Sequence, residues 1–545
     1  MYLRRATAVL LKRIRSTSRL SSAASRRRIP DALACQTYCR EEYCFSSRKG
    51  ENFLWILISG HAALILGSGS SVVLAEDVAT EVTSAGNIGG SNVTGLQTIE
   101  EGSVVSNEHT SKWRIFTDNG RDFFMQGKMD EAEKFFLSAI EEAKEGFGEK
   151  DPHVASAYNN LAELYRVRKE YDKAEPLYRS AIKILEESFG AEDVRVGAAL
   201  HNLGKFYIMQ RKLEEARVSY ERALKIKGRV LGHGHPDYAD TMYHLGTVLN
   251  LQGNVNDAQA LILDSVRILE EGGLGESNIC IRRLGYLAQM FLKSNQPEER
   301  ENVQRKILHI MELTKSWSSP ETVIAAESLA MTLQSVGKLS DAQDLLERCL
   351  EAQRSLLPEG HVQLGARMLR LARLTMLKAD QGRKLGNSEA VSELDKGKDL
   401  LQNTIRIAQQ CLDGLAKQKR KIFSFGRRQD NDKDARTALL ILLQSLNELS
   451  RLEIIKGEFQ ESKGTTHILV AEAALQRCIS AYKEFVNCGL ISASSETRSE
   501  YLSCLKHLLN IMNSQTRKTD ESQRSTVDKL KDEIKRVESE IAPSQ

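Results

Sequence analysis

The side chains able to do chemistry in this 545-residue chain are many, but few are spaced for it. Cys35, Cys39 and Cys44 stand near the start with no histidine close by, a poor pattern for a tetrahedral zinc site. His233-Gly234-His235 runs into Pro236 and reads as part of a turn rather than as a pair of ligands. No Gly-rich phosphate loop, G-x-S-x-G, H-E-x-x-H or C-x-x-C occurs. Surface Asp and Glu are too numerous to single out an acid–base pair. Cys349 and Cys478 each sit in an Arg-Cys-Leu/Ile context, where a small buried thiol is expected, and the nine cysteines form no disulfide framework. These observations imply no catalytic residue, no cofactor and no metal ligand, and they direct attention to binding.

Charge is distributed unevenly. Residues 1–50 hold 12 Lys+Arg against 3 Asp+Glu, while the rest of the chain holds 64 against 70. An acidic remainder disfavours generic nucleic-acid binding. The first 30 residues are Arg- and Ser-rich, contain no acid, and place Leu3, Leu10 and Ile14 on one helical face. That is the pattern of a mitochondrial presequence, assigned here to 1–45, with a chloroplast transit peptide as the alternative. Residues 53–74 lack Asp, Glu, Lys and Arg over a length able to span a bilayer. They are a transmembrane segment, a second removable signal or a buried helix. If they span, Arg48 and Lys49 belong on the matrix side and the folded part in the intermembrane space. Residues 76–111, rich in Gly, Ser, Thr and Asn, read as a flexible linker.

The elements that follow are set by a 42-residue period. Asn160-Leu161-Ala162 with Tyr165 returns as Asn202-Leu203-Gly204 with Tyr207 and as His244-Leu245-Gly246 with Leu249. Leu287-Ala288, Leu329-Ala330 and Leu371-Ala372 continue the register. Ala132, Ala174, Ala216, Ala258 and Ala342 mark a second position, and Pro152, Pro236 and Pro320 mark starts two periods apart. Each unit reads as two helices brought close by small residues, and no unit can bury its apolar face alone. Asp130, Asp172 and Ser340, each three residues before Glu or Gln, are expected to cap second helices. Pro176 is expected in a first helical turn. The repeat array is assigned to 112–487 as about seven pairs, with Arg300 replacing the small residue of one and extra residues around Ala379–Lys396 in another. Residues 417–434 read as a solvated charged loop, 488–514 as a capping helix, and 515–545 as a charged helix or tail that docks or forms a short coiled coil.

The stretch Asp151–Gly190, DPHVASAYNNLAELYRVRKEYDKAEPLYRSAIKILEESFG, closely resembles the tetratricopeptide repeats of kinesin light chains, as do the next two units through Glu271 with LGHGHPDYA at Leu231–Ala239. The resemblance is sharp in three units and looser over the rest of 112–487. It implies an all-α fold, a right-handed superhelix of about seven repeats with a C-terminal capping helix, whose first helices line a groove for extended peptides. Carried over by position, the peptide-binding candidates are Asn159, Asn160, Glu163 and Arg166, then His201, Asn202 and Lys205, then Tyr243, His244, Thr247 and Asn250. An amide suits a peptide backbone because it donates and accepts at once. The same asparagines could instead bond the neighbouring helix and hold repeats in register. The heptad region that precedes the repeats of kinesin light chains is missing here, its place taken by the presequence, apolar segment and linker, so motor transport is not implied.

The expected function is therefore a non-catalytic scaffold or adaptor binding protein partners, in mitochondria and in support of assembling an organelle complex. The alternatives are an organelle helical-repeat RNA-binding protein, disfavoured by the 42-residue period and acidic array, and a chloroplast assembly factor.

Overall fold

The computed structural model describes residues 108–384, 390–421, 430–459, 464–487, 491–515 and 521–541. Among the described residues the chain is helical and forms two compact units that divide between Gln296 and Pro297. The presequence, the 53–74 segment and most of the 76–111 linker lie outside the described residues. Within them, no helix is long and apolar enough to cross a membrane.

The first unit holds α1 (Glu108–Met125), α2 (Met129–Phe147), α3 (Pro152–Val167), α4 (Tyr171–Phe189), α5 (Val194–Met209), α6 (Leu213–Val230), α7 (Pro236–Leu251), α8 (Val255–Glu271) and α9 (Asn278–Lys293). The second holds α10 (Pro297–Thr314), α11 (Pro320–Val336), α12 (Leu339–Arg354), α13 (Val362–Lys384), α14 (Ala390–Lys421), α15 (Asp430–Phe459) and α16 (Gly464–Tyr482). A π-helical turn (Lys483–Asn487), α17 (Ser495–Gln515) and α18 (Glu521–Ile541) complete it. Counted in register, α1–α16 are eight repeats rather than seven. The first, α1–α2, falls within the expected array and starts at Glu108, four residues before its assigned start at 112. Its first helix lacks the Asn-Leu-Ala motif but keeps the small residue, Gly120, on which the packing depends.

That packing recurs. A Cβ built on Gly120 would stand 2.6 Å from the Phe136 ring, one on Gly204 2.7 Å from Tyr220, and one on Gly246 2.7 Å from Ile262. Ala162 takes the corresponding place opposite Tyr178, and in the second unit Ala330 opposite Leu346, all buried. Each first helix thus offers a notch, and each second helix fills it with a bulky side chain, the ridge-in-groove contact that fixes the pair. The turns obey the same register. Gly127, Lys169, Arg211 and Gly253 in the first unit adopt positive φ between first and second helices, which glycine accepts without strain and lysine or arginine does not.

The caps fall elsewhere than expected. Side-chain caps belong to first helices: Asp151, Asp193, His235, Ser277 and Ser319 accept the N–H of His153, Arg195, Asp237, Cys280 and Thr322 at 2.9–3.2 Å, one cap every 42 residues. Second helices start one residue before Asp130, Asp172 and Ser340, at Met129, Tyr171 and Leu339, and their N-cap residues Lys128, Glu170 and Lys338 make no side-chain cap bond. The acid or amide once assigned to a capping box reaches forward to the next repeat instead. Glu133 accepts from Tyr165 Oη at 2.7 Å and from Arg168, and Glu175 from Tyr207 Oη at 3.2 Å and Lys212 at 3.2 Å. In the second unit Glu301 accepts from Lys338 at 2.9 Å and Gln343 from Lys378 at 3.0 Å. Pro176 is the sixth residue of α4, one turn further in than expected, so its missing N–H does forgo a helical bond.

The second unit departs most from the repeat. The extra residues near Ala379–Lys396 lengthen α13 and α14 to 23 and 32 residues. Helix α14 runs to Lys421, so the first part of the expected charged loop is helical, while 422–429 lie outside the described residues. Helix α18 docks on α17 through Val527, Ile534 and Val537, and Glu533 accepts from Tyr501 Oη at 2.9 Å. Cys349 is the buried thiol expected, pushed up to about 12 by burial and then by Glu327. Cys478 is not: it forms a disulfide with Cys504 of α17, with Cα atoms 6.6 Å apart. The pairing escapes the sequence because α17 returns against α16 only after the π-helical turn, and nothing in the 26-residue separation announces it.

The notch sets a graded expectation. Gly204→Val should cost about 1–3 kcal/mol through overpacking against Tyr220. Gly204→Ala should cost less than Val but still destabilise, because its Cβ meets the buried Tyr220 ring at 2.7 Å while better helix propensity returns only about 1 kcal/mol. Denaturant midpoints of the three proteins check this, and equal midpoints for Val and Ala would remove the notch as a constraint.

Candidate functional site

Helices α3, α5, α7 and α9 present one polar position after another on the face where first helices meet. Helix α3 packs on α5, and α5 on α7. The period superposes Asn159 on His201 and Tyr243, Asn160 on Asn202 and His244, and Glu163 on Lys205 and Thr247. All eleven expected peptide-binding residues lie on α3, α5 and α7. Asn159, Asn160, Glu163, Arg166, His201, Asn202, Lys205 and Thr247 are buried, whereas Tyr243, His244 and Asn250 are half-buried.

The buried members are tied to one another. Asn202 Nδ2 donates to Asn159 Oδ1 at 3.1 Å, from α5 to α3. Of the two uses left open for the asparagines, this bond supplies register between repeats. Arg166 donates to Glu163 Oε2 through Nε at 3.0 Å and Nη2 at 2.8 Å, and Tyr178 Oη donates to the other oxygen. A fork donated to a fully buried carboxylate is stable because both of its oxygens have donors. Burial drives the Tyr178 phenol well above its ordinary value, so it remains a donor.

Between α5, α7 and α9 the polar seam becomes charged. His201 Nδ1 lies 3.1 Å from Thr241 Oγ1, and its Nε2 lies 3.4 Å from Asp240 Oδ2. His244 Nε2 lies 3.9 Å from the same oxygen, and Arg283 Nη2 donates to Asp240 Oδ1 at 3.0 Å. Arg283 also stands over the Tyr243 ring at 5.3 Å. Burial, then Lys227 and Lys205, hold the His201 ring well below its ordinary value. Asn250 Nδ2 donates to Tyr286 Oη at 2.8 Å, joining α7 to α9. Sequence reasoning missed Asp240, Thr241, Arg283 and Tyr286. The available signal was the i, i+4 spacing of Asp240 and His244, which puts both on one helix face. His235, the histidine that drew attention as a ligand, is spent capping α7.

Helix pairs in a 42-residue register, stacked through a polar seam of first helices, define a helical-repeat solenoid. Residues 114–187 and 195–271 match one tetratricopeptide-repeat family model and residues 322–363 another. Over these residues the chain carries tetratricopeptide repeats. Solved structures similar to it include a Podosopora anserina kinesin light chain-type protein with nearly identical TPR-like repeats, at 21% identity over 38% of this chain and 99% of that one, with a TM-score of 0.34. BtubC (BKLC) from P. vanneervenii is 12% identical over 46% of this chain and 93% of its own, also with a TM-score of 0.34. The apo form of RapI is 14% identical over 71% of this chain and all of its own, with a TM-score of 0.38. Likeness at this level carries no functional information. No curated protein matches the chain.

The Glu163–Arg166 pair gives the seam a measurable weight. Glu163→Ala should cost about 3–5 kcal/mol, because it leaves the buried Arg166 charge without its carboxylate. A Glu163→Met/Arg166→Met double substitution should cost much less, and urea denaturation of the two variants compares them. Equal losses would show that the pair adds shape rather than charge compensation.

Proposed function

We propose that this chain is a non-catalytic scaffold that takes extended segments of partner proteins on the polar face of α3, α5, α7 and α9. Tetratricopeptide repeats generally mediate protein–protein contact and generally lack catalytic groups. The observation that carries the reading is the change of the polar position along the array. It is buried and spent on register at Asn159 and Asn202, and it becomes half-buried and aromatic or amphipathic at Tyr243, His244 and Asn250. Aromatic side chains with polar tips supply contact area at low entropic cost, which suits recognition of an extended chain. A photo-crosslinking amino acid placed at Tyr243 should therefore yield adducts with partner proteins. The same group at Val218, exposed at 54% on α6, should yield none. Adducts from Val218 alone would move the binding face off the first helices.

We further propose that the chain works in mitochondria, in the intermembrane space, supporting assembly of an organelle complex and anchored there by residues 53–74. The basic, acid-free start supports the organelle, and the Cys478–Cys504 disulfide supports an oxidising compartment over the reducing matrix. Closing a 26-residue loop is worth about 3–4 kcal/mol in the chain-entropy description. In isolated mitochondria Cys478 and Cys504 should resist alkylation until a reductant is added, and protease should reach the repeats once the outer membrane is opened. Free thiols and protection in mitoplasts would place the repeats in the matrix instead.

A further inference from the structure

Three ligand atoms on the polar face converge on one point. His201 Nε2 of α5, and Asp240 Oδ2 and His244 Nε2 of α7, all lie within 4.8 Å of one another. The protons around them can be assigned from the bonds present. Thr241 Oγ1 donates its single hydrogen to the Asp237 carbonyl at 3.0 Å. While that bond is made it accepts from His201 Nδ1 at 3.1 Å, the tautomer in which Nδ1 carries the hydrogen of a neutral ring. Nε2 is then a bare lone pair, and it faces a carboxylate oxygen at 3.4 Å. Two acceptors meet there, and a cation between them resolves the contact. A proton would serve His201 and Asp240 alone. The approach of His244 Nε2 to the same oxygen, at 3.9 Å, is what a metal requires and a proton does not.

We propose that His201, Asp240 and His244 form a binding site for a divalent cation of the zinc class. Ligand bonds of 2.0–2.2 Å in a tetrahedron put neighbouring ligand atoms roughly 3.3–3.5 Å apart. The His201–Asp240 distance already has that value, and His244 Nε2, 3.9 Å from the same oxygen, closes the triangle by moving toward both. Two imidazoles and one carboxylate favour zinc and similar metals over calcium or magnesium, which demand more oxygen ligands. The outer partners are those a metal site uses: Thr241 fixes the His201 tautomer, and Arg283 holds Asp240 Oδ1 so that Oδ2 turns to the histidines. Asp240 keeps 39% of its side-chain surface accessible, which gives an ion a way in. Lys205, Lys227 and Arg283 oppose a cation, yet Lys227 is directed at the Asp237 carbonyl, and Arg283 divides its donors between the Ser265 carbonyl and Asp240 Oδ1, the oxygen turned away from the histidines. A bound ion joins α5 to α7 and leaves a fourth ligand position on the polar face.

The test uses the full chain, freed of metal by a chelator and with its thiols alkylated, titrated with Zn²⁺ and with Co²⁺ as a spectroscopic probe. One ion should bind per chain, and the cobalt form should show the visible bands of four-coordinate geometry. His201→Asn and His244→Asn place at each position the residue that Asn159, Asn160 and Asn202 hold in the other repeats, so the helices should persist, as circular dichroism will show. Each should weaken binding by at least the roughly 10–100-fold that follows loss of even an outer partner. Should His201→Asn unfold, His244→Asn decides alone. Absence of stoichiometric binding by the wild type, or binding that ignores the substitutions, overturns the site and leaves a proton between His201 and Asp240.

Discussion

The structure rests on a small residue of one helix receiving a large side chain of the next. Gly120 with Phe136, Ala162 with Tyr178, Gly204 with Tyr220 and Gly246 with Ile262 repeat that contact through the first unit. The notch brings two backbones close, and every other periodic feature is a consequence of keeping that approach in register. The left-handed turn residue must fall at one place so that the second helix returns at the correct height. The cap must fall at another so that the first helix of the next repeat starts on time. One pair of helices still leaves an apolar side uncovered, so the contact is stable only when neighbours repeat it.

Much of this was legible in the sequence, because apolar packing writes itself as residue size at fixed spacing. Ala132, Ala174, Ala216, Ala258 and Ala342 announced the helix pairs, and all five are fully buried. Prolines 152, 236 and 320 marked helix starts and stand there. What stayed hidden is polar. Asp130 and Asp172 have the spacing of capping boxes, but the positive-φ residue before each second helix starts that helix early, and Glu133 and Glu175 are drawn to tyrosines a repeat away. A local motif cannot report a competing partner 32 residues on. Cys478 and Cys349 look alike in sequence, and only the return of α17 separates a disulfide from a thiol.

The polar seam shows how a repeat array can hold register and still acquire chemistry. A core of small and large apolar residues alone tolerates sliding, because many registers bury similar area. Asn202 to Asn159, the Arg166 fork on Glu163 and Asn250 to Tyr286 each have one geometry that satisfies donor and acceptor. In the buried seam an unmatched partner costs more than a matched pair gains, so these bonds penalise wrong registers more than they reward the right one.

The same logic explains where new chemistry can appear. Positions that carry the notch, the turn and the cap are held by backbone geometry at a fixed register, even where the residue that meets it changes. The seam positions are constrained only to satisfy one another, so a change at one is absorbed by its neighbour. Asn159 becomes His201 and then Tyr243, while Asn160 becomes Asn202 and then His244. Once two of these are histidines on adjacent helices, Asp240, one turn before His244, and Arg283 from the next helix bring opposite charges to the same point. The residues that make the face reactive are thus the ones freed by a scaffold that is fixed elsewhere. Variation among repeats locates the chemistry, and agreement among them locates the fold.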